Sequence, residues 1–485
     1  MEKNTTSLVK DKALKGFSFL MGREMLMKIA AIIGQLALVR LLAPELFGIF
    51  ALISFILNIS ELFTDLGLSM TIIQKKTCLT SEELSSIHYV KLFMATFICC
   101  LLFVFAPNIH FIYNDFGQIE TLILRILSIT LIIKSARSVV TSIFERELKY
   151  NIISAIDLSG MILYYITAVF LAIFGFGIWS FVWALLVKEL IETILSWIKS
   201  DWLPGVVIKI SLIIPLIRVG SYYQMSFITG FIHQATIPIV AGVLSTPYYV
   251  GLLDWSSNAA SIPRTFAENV GRVSFASFSK MQDEKETVSR YINKSFIVIS
   301  FISLYFVIAT IAFGKELISF LLTDRWLPAL PALYWFVSCT FFLNGTGLLG
   351  NLVLALGKTK LLLYTSLAFI VLEYTLCLIL FNAIGFTGIA MANFISIFIM
   401  FIYLVIVVRK AGIKISFSNY ILKALCIGAI TFTIGLILNM KLDSNLLSLF
   451  LKLIATSMLY LLLFKLFLPE VLTQFLKVIK SVLKK

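Results

Sequence analysis

The sequence predicts an all-α polytopic membrane protein of about 14 transmembrane helices, arranged as two pseudo-two-fold-related six-helix lobes plus two C-terminal helices. Composition is the first reason. Of 485 residues, 60% are apolar and only 14% charged, against ~45–50% and ~25% in soluble domains, and the mean hydropathy is +0.99. Second, apolar runs of membrane length recur from end to end, which leaves no room for a large catalytic head. Third, a set of Pro and Gly landmarks recurs at a near-constant offset.

The spans follow in order. The first, 14–41, follows the basic stretch Lys3, Lys10, Lys12 and Lys15; it carries Arg23, Glu24 and Lys28 and no small-residue cleavage signature, so it reads as a retained span. Pro44 opens the second, 46–66, which ends on Glu61 and Asp65. Spans 84–106, 119–143, 151–173 and 177–198 follow, of which 119–143 carries Arg125, Lys134 and Arg137. Pro215 and Pro238 interrupt 211–243, Pro247 opens 247–272, and Pro263 falls inside it, so this ragged region leaves twelve or thirteen spans as the alternative count. Runs at 290–313, 327–356, 361–382, 386–408, 418–439 and 445–468 complete the fourteen. The remainder, 469–485, places Leu472, Phe475, Leu476, Ile479 and Leu483 on one helical face with lysines off it, the pattern of a basic amphipathic tail on an anionic leaflet.

The net charge of +14 (40 Lys+Arg against 26 Asp+Glu) reflects topology and not nucleic acid. With both termini cytoplasmic, Lys75, Lys76, Arg146, Lys149, Lys199, Lys209, Lys358, Lys360, Arg409 and Lys410 all fall on the inner side. Trp179, Trp255 and Trp326 then fall at the outer interface and Trp197 and Trp202 at the inner one. Six cysteines show no CxxC and no His or Cys at ligand spacing, so neither metal nor cofactor is expected.

Pro44 and Gly48 in LAPELFGIF recur as Pro247 and Gly251 in STPYYVGLL. Gly67 has its counterpart in Gly271, and GFGIW from Gly175 recurs as GFTGIA from Gly385. Offsets of 203, 204 and 210 between these positions predict duplicated six-span halves of the same orientation, the geometry of alternating access. The domain expectation is therefore an N-terminal lobe at 1–200, a second lobe at 201–410, two further helices within 411–468 and the tail at 469–485.

Charges inside a bilayer cost ~2.5–3.5 kcal/mol each on insertion scales and are normally paired or cavity-facing. Glu24 with Lys28, and Lys188 with Glu192, are i,i+4 pairs. Glu61 and Asp65 share a face; they either bridge a neighbour such as Arg137 or bind a coupling ion. Arg125 and Lys134 share a helix with no acid between Glu120 and Glu145, so their partners are acids of other spans or the phosphates of a substrate. Glu373, in mid-span, is a third candidate for ion coupling.

The stretches ALVRLLAPELFGIFAL (37–52), DLGLSMTIIQKK (65–76), GRVSFASFSKMQDE (271–284), DRWLPALPAL (324–333) and LALGKTK (354–360) resemble the polysaccharide (oligosaccharide-lipid) flippase family of the multidrug/oligosaccharidyl-lipid/polysaccharide exporter superfamily. A departure is ASFSKMQ, where the family has Pro after the aromatic. The resemblance implies fourteen spans and export of an undecaprenyl-pyrophosphate-linked oligosaccharide across the bacterial cytoplasmic membrane for surface polysaccharide, with membrane lipids, H⁺ or Na⁺ and polysaccharide polymerase machinery as partners. A pyrophosphate crossing ~30 Å of hydrocarbon needs fixed cations. Arg23, Lys28, Arg125, Lys134, Arg218 and Arg264 are the candidate set by their positions within spans. A multidrug cation antiporter of the same superfamily would need an acidic cavity instead, and a membrane glycosyl polymerase a larger outer loop; no Walker A motif is present. An enzyme is not expected.

Overall fold

A computed structural model describes residues 27–75, 79–113, 115–264, 284–415, 422–443 and 445–468. Arg23, Glu24, the landmark Gly271 and the 469–485 tail lie outside the described residues. Every regular element described is helical. In chain order these are α1 (27–41), α2 Pro44–Asp65, α3 Leu68–Gln74, α4 Ser81–Phe105, α5 Gln118–Arg146, α6 Tyr150–Ile173, α7 Trp179–Lys199, α8 Ile210–Gln234 and α9 Pro247–Ala260. Then come α10 Lys285–Leu321, α11 Leu330–Ala355, α12 Thr359–Ile384, α13 Thr387–Lys410, α14 Lys423–Lys441 and α15 Leu446–Phe467. A helix thus stands at the place of each expected span, and among the described residues nine helices are long and apolar enough to cross a membrane by length and composition. The chain is a multi-pass membrane protein.

Local chemistry sets the boundaries. Pro44 sits in the first turn of α2, where its missing N–H is no loss. Leu66 and Gly67, with φ of 50° and 73°, turn the chain left-handed after α2, where the expected span 46–66 ends, and set α3 apart as a short helix of its own. Thr80 and Glu83 form a capping box at α4, Glu120 accepts from the Gly117 N–H at α5, and Asn445 accepts from the Ser448 N–H at α15. The ragged stretch after Pro215 resolves into α8, which contains that proline, a π turn at Ile237–Ala241 and a short turn at Gly242–Leu244.

Two compact units emerge, Met1–Gly251 and Leu252–Lys485. In the first, α5 packs on α2, α3, α4 and α7, and α6 on α7. Helix α8 packs on α3 and α4, so by contacts it belongs with this unit, whereas span counting assigns it to a second lobe. Large apolar side chains such as Phe93, Phe97 and Phe170 point outward, the inverse of a water-soluble surface.

The two copies of the P-x-x-x-G turn meet. A Cβ built on Gly48 would lie 1.8 Å from the Pro247 carbonyl oxygen, and one built on Gly251 would lie 1.9 Å from that of Pro44. Each segment therefore presents its glycine to the other's proline, the self-complementary pattern that a local two-fold produces. Gly67 does the same with Gly220 of α8, with corresponding approaches of 2.1 and 2.7 Å.

In the second unit α10 is the central helix, buried along most of its length. Val288, Ile292, Phe296 and Ile299 on it pack with residues of α11 and α13, while Ile297, Phe301, Leu304 and Ile308 pack with α14 and α15. Trp255 and Trp326 are an internal pair with ring centroids 5.4 Å apart. Trp326 is fully buried, because the turn at Asp324–Ala329 folds its ring inward as a packing group.

Candidate functional site

Four helices of the first unit bring eight ionisable side chains into its interior. Along α5, Lys134 and Arg137 point at α2 and α7. Lys134 Nζ donates to Glu61 Oε2 at 2.8 Å and lies 3.9 Å from Glu189. Arg137 divides its guanidinium, NH1 reaching Glu189 at 2.8 Å and NH2 reaching Glu192 at 2.6 Å. Lys188 stands 3.7 Å from Glu189 and 3.8 Å from Glu192, so the i,i+4 pairing read from the sequence is present. On α4, Lys91 is almost fully buried and donates to both Asp65 (2.6 Å) and Ser69 (2.7 Å). Four acids (Glu61, Asp65, Glu189, Glu192) thus face four bases (Lys91, Lys134, Arg137, Lys188), as pairing inside a membrane requires, and Asp157 of α6 lies within electrostatic range of Glu192.

Lys134, Lys188 and Glu189 also line a cavity of about 290 Å³, together with Tyr164 and Tyr165 of α6 and Ser54 and Asn58 of α2. Gly34 lets α1 lie against Tyr165: a Cβ there would come within 2.1 Å of the ring. Glu189 is 1% exposed and is already held by Arg137, so its charge is engaged before any ligand enters.

The other expected site residues fall elsewhere. Arg125 donates through Nε to the Phe103 carbonyl at 2.9 Å, and its guanidinium lies over the Phe103 ring at 4.9 Å, so it meets a carbonyl and a π face there. Lys28 on α1 and Arg218 on α8 are exposed. Arg264 and Glu373 belong to the second unit and lie within electrostatic range of the Cys339 thiol. Glu373 is buried, accepting from Asn393 Nδ2 at 2.8 Å, and the Cys339 thiol donates to Asn393 Oδ1 at 3.4 Å. The bridge from Glu61 and Asp65 to Arg137 anticipated above is corrected: their partners are Lys134 and Lys91, because Arg137 lies further along α5 and is taken by the two glutamates of α7.

Sequence reading missed Lys91, Glu189 and the pair Lys452–Glu316. Lys452 is fully buried on α15 and donates to Glu316 of α10 at 2.8 Å and to Asn439 of α14 at 3.0 Å. The available signal was simple for two of them: Lys91 and Lys452 are lone charges inside apolar runs, which membrane energetics makes conspicuous, whereas Glu189 and Glu316 each follow a lysine. Outside the spans, the Glu147 and Asp201 carboxylates beside Lys149 hold its ammonium above the usual lysine range, tying together two connections on the side read as cytoplasmic. Burial pushes the Tyr113 hydroxyl up to about 12, and it donates to the Pro238 carbonyl at 3.3 Å.

The chain is 26% identical over 340 residues to an "Uncharacterized membrane protein in cps region" of Klebsiella pneumoniae, covering 66% of this chain and 67% of that one. It is 20% identical over 299 residues to the "Lipopolysaccharide biosynthesis protein WzxC" of Escherichia coli (strain K12), covering 61% and 60%. In fold it is similar to "Lipid II flippase MurJ, inward closed conformation", with a TM-score of 0.77 at 17% identity over 92% of this chain and 100% of that one. Residues 37–331 match the family described as "Polysaccharide biosynthesis protein", and the chain belongs to that family.

Proposed function

We propose that the protein is a transporter that flips a lipid-linked oligosaccharide from the inner to the outer leaflet of the cytoplasmic membrane by alternating access, for surface polysaccharide assembly. One observation carries the reading. The chain belongs to a polysaccharide biosynthesis family, yet its longest fully described connection between the numbered helices is 235–246, too short to build a catalytic domain. What such a chain can contribute to biosynthesis is passage. The fold shared with a lipid II flippase and the lipopolysaccharide role in the name of the E. coli relative support it.

In this reading the undecaprenyl-pyrophosphate head passes the cations Arg23, Lys28, Arg125, Lys134, Arg218 and Arg264. Glu61, Asp65 and Glu373 are the groups open to coupling with H⁺ or Na⁺, in two six-span lobes at 1–200 and 201–410 with both termini inside. The test is a deletion strain, assayed for surface glycan and for lipid-linked oligosaccharide on the inner leaflet. Loss of glycan with stranded precursor, restored by the wild-type gene and not by Arg264→Ala, is expected; normal glycan in a strain with no second exporter would overturn the proposal.

A further inference from the structure

The geometry points to the cavity inside the first unit as a subsite for one acidic monosaccharide, a carboxylate-bearing sugar of the carried oligosaccharide; this rests on the flippase reading above. At 290 Å³ the cavity has room for a single sugar ring. Its wall has three chemistries. Tyr164 and Tyr165 offer aromatic faces and phenol hydroxyls, which suit the C–H face and rim of a pyranose. Ser54 and Asn58 are one turn apart on α2 and so present a hydroxyl and an amide from the same helical face.

The charge is what selects an acid. Two ammoniums and one carboxylate line the space, and that carboxylate is engaged by Arg137 at 2.8 Å. Lys188 has ion-pair distances of 3.7 and 3.8 Å to Glu189 and Glu192, beyond hydrogen-bond reach. Its three N–H donors are therefore held near the cavity by attraction without being consumed. Lys134 is bonded to Glu61, which is 43% exposed and the least buried acid of the network. An incoming sugar carboxylate takes hydrogen bonds from Lys188 and competes with Glu61 for Lys134, so the network accepts the anion by releasing its most solvated acid. A cation would find the opposite: Glu189 has three basic neighbours.

Calorimetric titration of the purified full-length protein in detergent, with D-glucuronate, D-glucose and sulfate in parallel, tests this. Saturable glucuronate binding is expected, at least tenfold tighter than glucose, with no saturable sulfate binding. Lys188→Gln should weaken glucuronate at least tenfold, and Lys188→Arg should restore most of it. Equal binding of glucose, sulfate binding as tight as glucuronate, or an unchanged affinity in Lys188→Gln would each overturn the subsite. A wild-type protein that restores surface glycan in the deletion strain but does not bind glucuronate refutes the subsite alone. One that binds glucuronate with the stated selectivity but leaves glycan unrestored upholds the subsite and refutes the flippase reading.

Discussion

Arg137 is the residue on which the interior of the first unit depends, because its two terminal nitrogens hold two different buried glutamates of α7. Removing one partner of a buried ion pair costs ~3–5 kcal/mol, chiefly through the charge left behind. Arg137→Ala is therefore expected to lose most of its folded fraction in detergent, read as a fall in the thermal transition. Adding Glu189→Gln and Glu192→Gln should recover a large part of the loss; no recovery would mean that the guanidinium acts through packing alone. The same reasoning applies to Lys452. Lys452→Ala takes from Glu316 the ammonium held 2.8 Å away and should lower the transition markedly, whereas Lys452→Met with Glu316→Gln should lie close to wild type. Lone intramembrane charges are legible in the sequence, but which base meets which acid is not. Lys91 and Lys134 lie on different helices from the acids they meet, and only the packing of α2, α4, α5 and α7 decides the pairs.

At the scale of elements, helix positions follow closely from apolar run length, because a bilayer imposes a fixed span and hydropathy reports it directly. The short helix α3 lies outside every expected span, and the π turn at Ile237–Ala241 falls inside one; run length alone reports neither. The reciprocal glycines give the sharpest test. Gly→Ala within a helix normally stabilises by up to ~1 kcal/mol. At Gly347 of α11, where an added Cβ meets nothing within 4 Å, the thermal transition should stay level or rise slightly. At Gly48 the same methyl group would lie 1.8 Å from the Pro247 carbonyl oxygen, so the sign should reverse and the transition should fall. Equal behaviour of the two variants would show that the α2 and α9 starts are not in contact in the folded protein.

For the whole molecule, the inner-side bias of Lys and Arg makes topology testable by single cysteines on a background without the six native ones. An impermeant thiol reagent added to intact cells is expected to label Cys at Asp443 but not at Lys149 or Lys360; labelling at Lys360 would break the alternation of spans. Packing within the second unit carries a further meaning for how the chain is made. Lys91 pairs with an acid 26 residues earlier in the chain, so its partner enters the bilayer with the preceding hairpin. Lys452 pairs with Glu316, 136 residues earlier, and its other partner, Asn439, is on α14. Until α15 reaches that notch, a charged helix is bathed in lipid at a cost of ~2.5–3.5 kcal/mol, and docking removes it. The order of synthesis thus becomes an order of assembly: the last helix closes only on a unit whose earlier helices already stand, and Lys452 makes biogenesis of the C-terminal pair conditional on them.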